Sequence, residues 1–256
     1  MLKYLLGTPL LRAWRSVAAR LDAKRWTAED ERRGVLLAAF VRPGGLCFDV
    51  GANMGNRVKC LVKAGVRVVA VEPQEECLAV LRDVWGRDSH VTILDVALGA
   101  VAGEGVLHVG DSDTVSSMSE EWIRSVSASQ RFGRNRWRTT RKVQIETLDA
   151  LVERFGVPDF VKIDVEGFED SVVAGLHRPL KAISMEFTPE HLAPITQAIH
   201  HLAGLGAIEF NISLRESARL EWTEWVGVKG ILQALECVPD DRTTFGDVYA
   251  RFLTVK

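Results

Sequence analysis

The chain is short of the features that mark several large protein classes. It has four cysteines in 256 residues, Cys47, Cys60, Cys77 and Cys237. No two of them form a C-x-x-C pair, so neither a zinc ribbon nor a thioredoxin-type redox pair is present. Three of the four sit inside apolar runs, which suits buried, reduced thiols and a cytoplasmic setting. No stretch reaches the ~18 uninterrupted apolar residues that a spanning helix needs. The opening run Leu5-Leu6-Gly7-Thr8-Pro9-Leu10-Leu11 is too short and too broken for a signal peptide, and no small-residue cleavage site follows it. The net charge of −2 gives no global attraction to nucleic acid or membrane. There is no internal repeat and no low-complexity tract, which excludes solenoids and arrays.

At 47% hydrophobic, the chain can bury one good core, and we expect residues 1–44 as a helical extension ahead of a domain over 45–256. Leu10 to Leu21 carries apolar side chains at helical spacing with Arg12, Arg15 and Arg20 among them, and Lys24 and Arg25 follow. This is an amphipathic basic helix that could cap a ligand site, make a weak membrane-surface contact, or pack on the domain with its cations in water. Glu29 to Phe40 reads as a second helix, ended by Pro43-Gly44-Gly45.

From Leu46 strand and helix alternate: strand 46–50, helix 55–64, strand 66–71, helix 75–85, strand 91–96. That rhythm predicts parallel strands with helices on both faces. Strand pieces at Val106–Val109 and Val143–Thr147 then flank a long polar stretch, Gly110 to Lys142, expected as a mobile loop. Further on come a helix at Leu148–Phe155, strand Phe160–Val165, helix 168–175, strand Ala182–Phe187, helical periodicity from His191 to Leu205, and strands Ala207–Ile212 and Asp247–Phe252.

The most informative stretch is Cys47-Phe48-Asp49-Val50-Gly51-Ala52-Asn53-Met54-Gly55-Asn56, a buried strand running into a glycine-bearing turn and a helix. Gly51 accepts backbone angles that a side chain forbids, Gly55 lets the helix start close to the strand, and free turn N–H groups would face a ligand. A pyrophosphate grip wants G-x-G-x-x-G, and here the middle position is Asn53. The turn suits a ligand without pyrophosphate, while Asp49 offers a carboxylate to an ammonium group; S-adenosylmethionine has both properties. Glu72 ends the next strand, 21 positions after Gly51, where an acid accepts from two ribose hydroxyls. Asp95, at the third strand's end, is the candidate partner for the adenine amino group.

The region from Phe48 to Phe252 resembles the FkbM-type family of S-adenosylmethionine-dependent methyltransferases. The residues that carry the resemblance are Phe48 to Asn53 with Gly55-Asn56, Val71-Glu72-Pro73, Ala97-Leu98-Gly99 and Thr147-Leu148-Asp149. To these are added Val161-Lys162-Ile163-Asp164-Val165-Glu166-Gly167 with Glu169, and Gly246-Asp247-Val248-Tyr249-Ala250. Met54 departs from the usual β-branched aliphatic. The resemblance implies a Rossmann-like class I methyltransferase with a mostly parallel seven-stranded sheet. It also implies O-methylation of hydroxyls on sugars, glycan precursors or natural products.

Moving a methyl group from a sulfonium requires the acceptor oxygen to be held in line, and an alcohol must also lose its proton. The candidates are acids that end strands: Asp164 first, then Glu166 and Glu186, with His191 as an alternative base. The same three acids could hold a Mg²⁺ ion that lowers the hydroxyl's pKa. The run Arg131 to Lys142 packs six cations with two aromatics, and Arg134, Arg136, Trp137 and Arg138 are expected to contact an anionic acceptor. A base-modifying enzyme would carry an Asn/Asp-Pro-Pro-aromatic element where Asp164-Val165-Glu166-Gly167 stands, so no nucleic-acid partner is expected. The rivals are a non-catalytic protein that holds an anionic partner with its 131–142 loop, and a dinucleotide oxidoreductase, which Asn53 opposes.

Overall fold

The protein is described by a computed structural model that covers Val17, Ala18, Arg20, Leu21, Ala23 and residues 25–253. Most of the expected basic helix from Leu10 to Leu21 lies outside the described residues. In chain order the elements are α1 (Ala28–Ala38), β1 (Leu46–Val50), α2 (Asn56–Lys63), β2 (Arg67–Val71), α3 (Glu75–Trp85), β3 (Val91–Leu94), β4 (Ala97–Leu98), β5 (Gly103–Gly110) and α4 (Glu120–Ser129). Then follow β6 (Trp137–Glu146), α5 (Leu148–Phe155), β7 (Phe160–Ile163), α6 (Glu169–Ala174), β8 (Ala182–Phe187), α7 (Ala193–Leu205), β9 (Ile208–Leu214), α8 (Val228–Glu236) and β10 (Gly246–Phe252).

Seven strands form one sheet in the order β3-β2-β1-β7-β8-β10-β9. Its strands run parallel except β10, which is antiparallel to both β8 and β9. All five residues of β1 are buried, as a strand covered on both faces requires. Side chains alternate between two cores. Phe48 and Val50 join Val161, Ile163 and Met185 under α5, α6, α7 and α8. Cys47 joins Val68, Ala70 and Phe160 under α1, α2 and α3. Leu37 and Val41 belong to that second core, so the described end of the N-terminal extension is built into the domain. A capping box starts α1: Thr27 Oγ1 accepts from Asp30 N–H (3.1 Å), and Asp30 accepts from Thr27 N–H (2.8 Å). Asp30 also holds Lys59 of α2 at 2.6 Å, with both side chains buried.

The stretch from Gly110 to Lys142 differs from the expected unstructured loop. It contains a short 3₁₀ turn at Asp113–Val115, all of α4, and the first six of the ten residues of β6, which pairs antiparallel with β5 and parallel with β4 in a separate three-stranded sheet. Ser119 caps α4 by accepting from Trp122 N–H at 3.1 Å. The helix is anchored because Trp122 and Val126 bury themselves with Val115, Phe132 and Trp137. A polar composition concealed this small satellite core. Among the described residues no helix is long and apolar enough to cross a membrane.

Candidate active site

The carboxyl ends of β1, β2, β7 and β8 open on a cavity of about 300 Å³. It sits where the strand order reverses around β1, the position at which open α/β sheets bind ligands. Gly51 makes the first turn feasible. Its φ is +80°, and a Cβ there would lie 1.8 Å from the carbonyl oxygen of Asp164, so strand β1 and the β7 loop can touch only through a glycine.

Asn53 follows in the left-handed region (φ 49°), which asparagine tolerates better than most residues. The turn N–H groups expected to be free are already bonded. Asn53 N–H goes to Glu72 (2.8 Å), Met54 N–H to Asn53 Oδ1 (2.8 Å), and Gly55 N–H to the Ala52 carbonyl (2.9 Å). A turn satisfied in this way has no donors for a pyrophosphate, in keeping with the missing middle glycine.

Glu72 is 2% exposed and lines the cavity, accepting from the N–H groups of Asn53 and Gln74 (2.7 Å). Burial raises its pKa to about 7 against the pull of those two N–H groups. Each carboxylate oxygen keeps a second lone pair for a ligand hydroxyl. Gly51, Asn53 and Asn56 also line the cavity, while Gly55 caps α2 outside the wall. Val71, Val96, Ala97, Leu98, Leu107 and Met118 add an apolar slot suited to a flat base. Gln74 accepts from Ser116 Oγ at 2.6 Å, tying this slot to the segment before α4.

Two expected cofactor contacts are placed elsewhere. Asp95 is exposed, paired with Arg82 at 3.1 Å and outside the cavity wall, because β3 ends at Leu94 and the following turn presents Val96 inward instead. Asp49 lies beneath the turn, 1% exposed and behind the wall, with Oδ2 unpartnered. Burial lifts it to about 6, opposed by Arg57 and Lys162. Behind the wall, this carboxylate does not touch a ligand seated in the cavity. Glu72 and the apolar slot, which do line the cavity, are the residues that fit S-adenosylmethionine.

The opposite end of the cavity is acidic. Asp164, Glu166 and Glu186 present oxygens within 4.8 Å of one another. The β7–α6 loop is shaped for this. Glu169, buried under it, accepts from Val165 N–H (3.1 Å) and Gly167 N–H (3.3 Å), and Ser117 Oγ donates to the Glu166 carbonyl (2.6 Å). Glu166 itself takes φ 56°. At Gly167 (φ +85°) a Cβ would meet the Trp122 ring at 2.3 Å, so α4 packs directly over the loop.

Burial pushes Asp164 up, but Lys162 (3.6 Å) and Arg57 (3.2 Å) outweigh it and hold the acid at about 2. Burial, then Asp164, then a further acid raise Glu166 and Glu186 well above the carboxylate range. Three oxygen donors are of the right kind for a divalent cation. Asp164 is already paired with two cations, and Glu166 and Glu186 beside it have raised proton affinity.

Lys162 is buried and also bonded to Asp247 of β10. The sequence reading missed Arg57, and it missed the rim formed by Glu29 and Arg33 of α1 with Glu216. The only local signal was the position of Arg57 in the first turn of α2.

His191 lies in a 3₁₀ turn (Pro189–His191) outside the main cavity, its Nδ1 3.4 Å from Ser125 Oγ. The basic run does not meet the cavity either. Arg131 is buried against Glu190 and the carbonyls of Asp241 and Arg242. Trp137 donates to the Val115 carbonyl (2.6 Å) and packs edge-on against Trp122. Arg134, Arg136 and Arg138 are exposed and outside the cavity wall; Arg134 and Arg136 precede β6 and Arg138 stands near its start.

Among solved structures the fold is similar to a putative O-methyltransferase from Klebsiella pneumoniae (12% identity, TM-score 0.47, 96% of this chain and 90% of that one). It is also similar to an O-methyltransferase from Bacillus cereus in complex with SAH (10% identity, TM-score 0.46, 98% and 96%). A third is precorrin-6y C5,15-methyltransferase from Geobacter metallireducens (13% identity, TM-score 0.45, 86% and 87%). No protein with a curated description matches the sequence. The motif residues that build this cavity, from Asp49 through Glu72 to the Asp164–Glu169 loop, all fall within residues 49–205. That segment is more than half of the chain and matches the methyltransferase FkbM domain model; the chain belongs to the FkbM family of S-adenosylmethionine-dependent methyltransferases.

Proposed function

We propose that this methyltransferase modifies a hydroxyl oxygen on a small polar acceptor, a sugar, glycan precursor or natural product. The observation that carries this reading is the proton-hungry pair Glu166 and Glu186 beside an ionised Asp164, on the same cavity as Glu72. S-adenosylmethionine supplies a methyl group already attached to a cationic leaving group. The chain's residues have the remaining tasks. Glu72 and the apolar slot bind and orient the donor, and the acidic end takes a proton from the acceptor oxygen. An alcohol needs such a base, and a carboxyl whose proton affinity is raised accepts a proton better than one held at about 2. Glu186 and Glu166 are therefore the base candidates, and Asp164, fixed by Arg57 and Lys162, orients the acceptor hydroxyl. The buried thiols of Cys47, Cys60 and Cys77 support a cytoplasmic setting.

The test is methyl transfer from labelled S-adenosylmethionine to a panel of sugars and nucleotide sugars, with chelator present and absent. Transfer to oxygen that falls by roughly 10²–10⁴ in Glu186→Gln or Glu166→Gln supports the reading. Transfer only to nitrogen, or full activity in both variants, removes it. Activity that survives chelation excludes a loosely held Mg²⁺.

A further inference from the structure

Behind Glu186 lies a second set of buried polar atoms that the cavity does not use. Thr188 Oγ1 and His191 Nε2 are both buried without a hydrogen-bond partner, and Thr188 is only 6% exposed. Both residues wall a chamber of about 10 Å³, which Trp122, Gly167 and Glu169 also line. Glu186 belongs to the wall of this chamber and of the main cavity alike. The space corresponds to roughly one water molecule, and a water needs two to four polar partners; Glu186, Thr188 and His191 supply three.

Glu186 faces the main cavity on one side and this chamber on the other, so a proton taken from an acceptor has a way out that does not cross the main cavity. We propose that the chamber is the proton exit: a water held by Thr188 and His191 receives the proton from Glu186 and relays it to His191. The inference rests on the O-methylation reading above.

The proton balance is simple. The acceptor oxygen loses its hydrogen to the Glu186 carboxylate as its bond to the methyl carbon forms. Glu186 then gives that proton to the water while the water gives one of its own to His191 Nε2. The imidazolium loses a proton to solvent, and no electron changes hands. Acids surround the imidazole on every packed element: Glu121 of α4, Asp170 of α6, Glu190 of its own turn, and Glu169 and Glu186 across the chamber. Burial lowers the His191 pKa, and Glu121, Asp170 and Glu190 oppose that. With its pKa lowered on balance, the imidazolium gives a proton readily to solvent once it has received one.

The experiment is an NMR titration of ¹⁵N-histidine-labelled full-length protein with S-adenosylhomocysteine bound, the His191 signals being assigned with His191→Gln. Thr188→Val removes a hydroxyl and no charge, so its effect on His191 reports a shared water and not electrostatics. Both Thr188→Val and Glu186→Gln should lower the His191 midpoint by at least about half a pH unit. A crystal structure should show one water touching all three side chains. A midpoint unmoved by Thr188→Val, or a chamber without water in that crystal structure, overturns the proposal. A coupled chamber found together with methyl transfer to nitrogen would keep the relay and discard the O-methylation reading, so the two failures are distinguishable.

Discussion

Replacing Glu72 by alanine should separate cofactor recognition from folding. The carboxyl is 2% exposed, and burial moves it from the ordinary 4.5 to about 7. At ~1.4 kcal/mol per pH unit, keeping it ionised above pH 7 costs the folded protein roughly 3 kcal/mol. Alanine removes that cost but leaves the N–H groups of Asn53 and Gln74 without an acceptor, a loss of about 1–3 kcal/mol each when buried. The two effects oppose each other, so the melting temperature of the ligand-free variant at pH 8 should change little. Cofactor binding has no such compensation. Hydrogen bonds to a charged group are worth roughly 1.5–3 kcal/mol, so the affinity for S-adenosylhomocysteine should fall about ten- to a hundredfold. Calorimetric titration measures the affinity and differential scanning calorimetry the stability. An unchanged dissociation constant would remove Glu72 from the cofactor site, whatever its effect on melting.

Four further outcomes follow from the same geometry. Lys162→Met leaves Asp247 and Asp164, both partly buried, without their lysine, Asp164 keeping only Arg57, and should lower stability by about 3 kcal/mol in urea unfolding. Gly51→Ala forces a Cβ to within 1.8 Å of the Asp164 carbonyl oxygen at φ +80°, and a soluble variant with native melting would contradict the turn described here. Glu72, Glu169 and Asp49 bind protons more tightly folded than unfolded, at about 7, 7 and 6, so their contribution is present below about pH 4 and is lost as pH rises through 7. Asp164, held at about 2, contributes above its unfolded pKa and loses that contribution as pH falls toward 2; the ligand-free protein should therefore melt higher near pH 5 than at pH 8. Arg134, Arg136 and Arg138 stand outside the cavity, so changing all three to serine should leave S-adenosylhomocysteine affinity and acceptor KM unaltered. A steep rise in that KM would return an acceptor contact to β6.

What was readable before any coordinates was local and periodic. Apolar runs of strand length, glycine at Gly51, Pro73 after β2, and an acid 21 residues beyond the turn act through neighbours a few positions away. They set the strand–helix rhythm, the cofactor turn and Glu72. The strand-end positions of Asp164 and Glu186 followed from the same rhythm. The remainder depends on residues far apart in the chain. Lys162 meets Asp247 across 85 positions, and Arg57 reaches Asp164 from a different layer. These cations keep Asp164 ionised, while burial and the neighbouring acids raise the proton affinity of Glu166 and Glu186, a division of roles invisible in three acids along a chain.

The stretch from Gly110 to Lys142 shows the same limit from the other side. Its composition is that of a loop, but Trp122, Val126 and Trp137 close a small core that exists only once α4 folds onto β6, and the second half of the basic run becomes part of that strand. Asp95 fell outside the cavity because β3 stopped two residues short of its expected end, a boundary fixed by pairing with β2. Periodicity specifies which elements form. Which charges face one another, and what each is then worth, is decided by the packing of those elements, because Coulomb energies and desolvation depend on distance and burial that no spacing along the chain encodes.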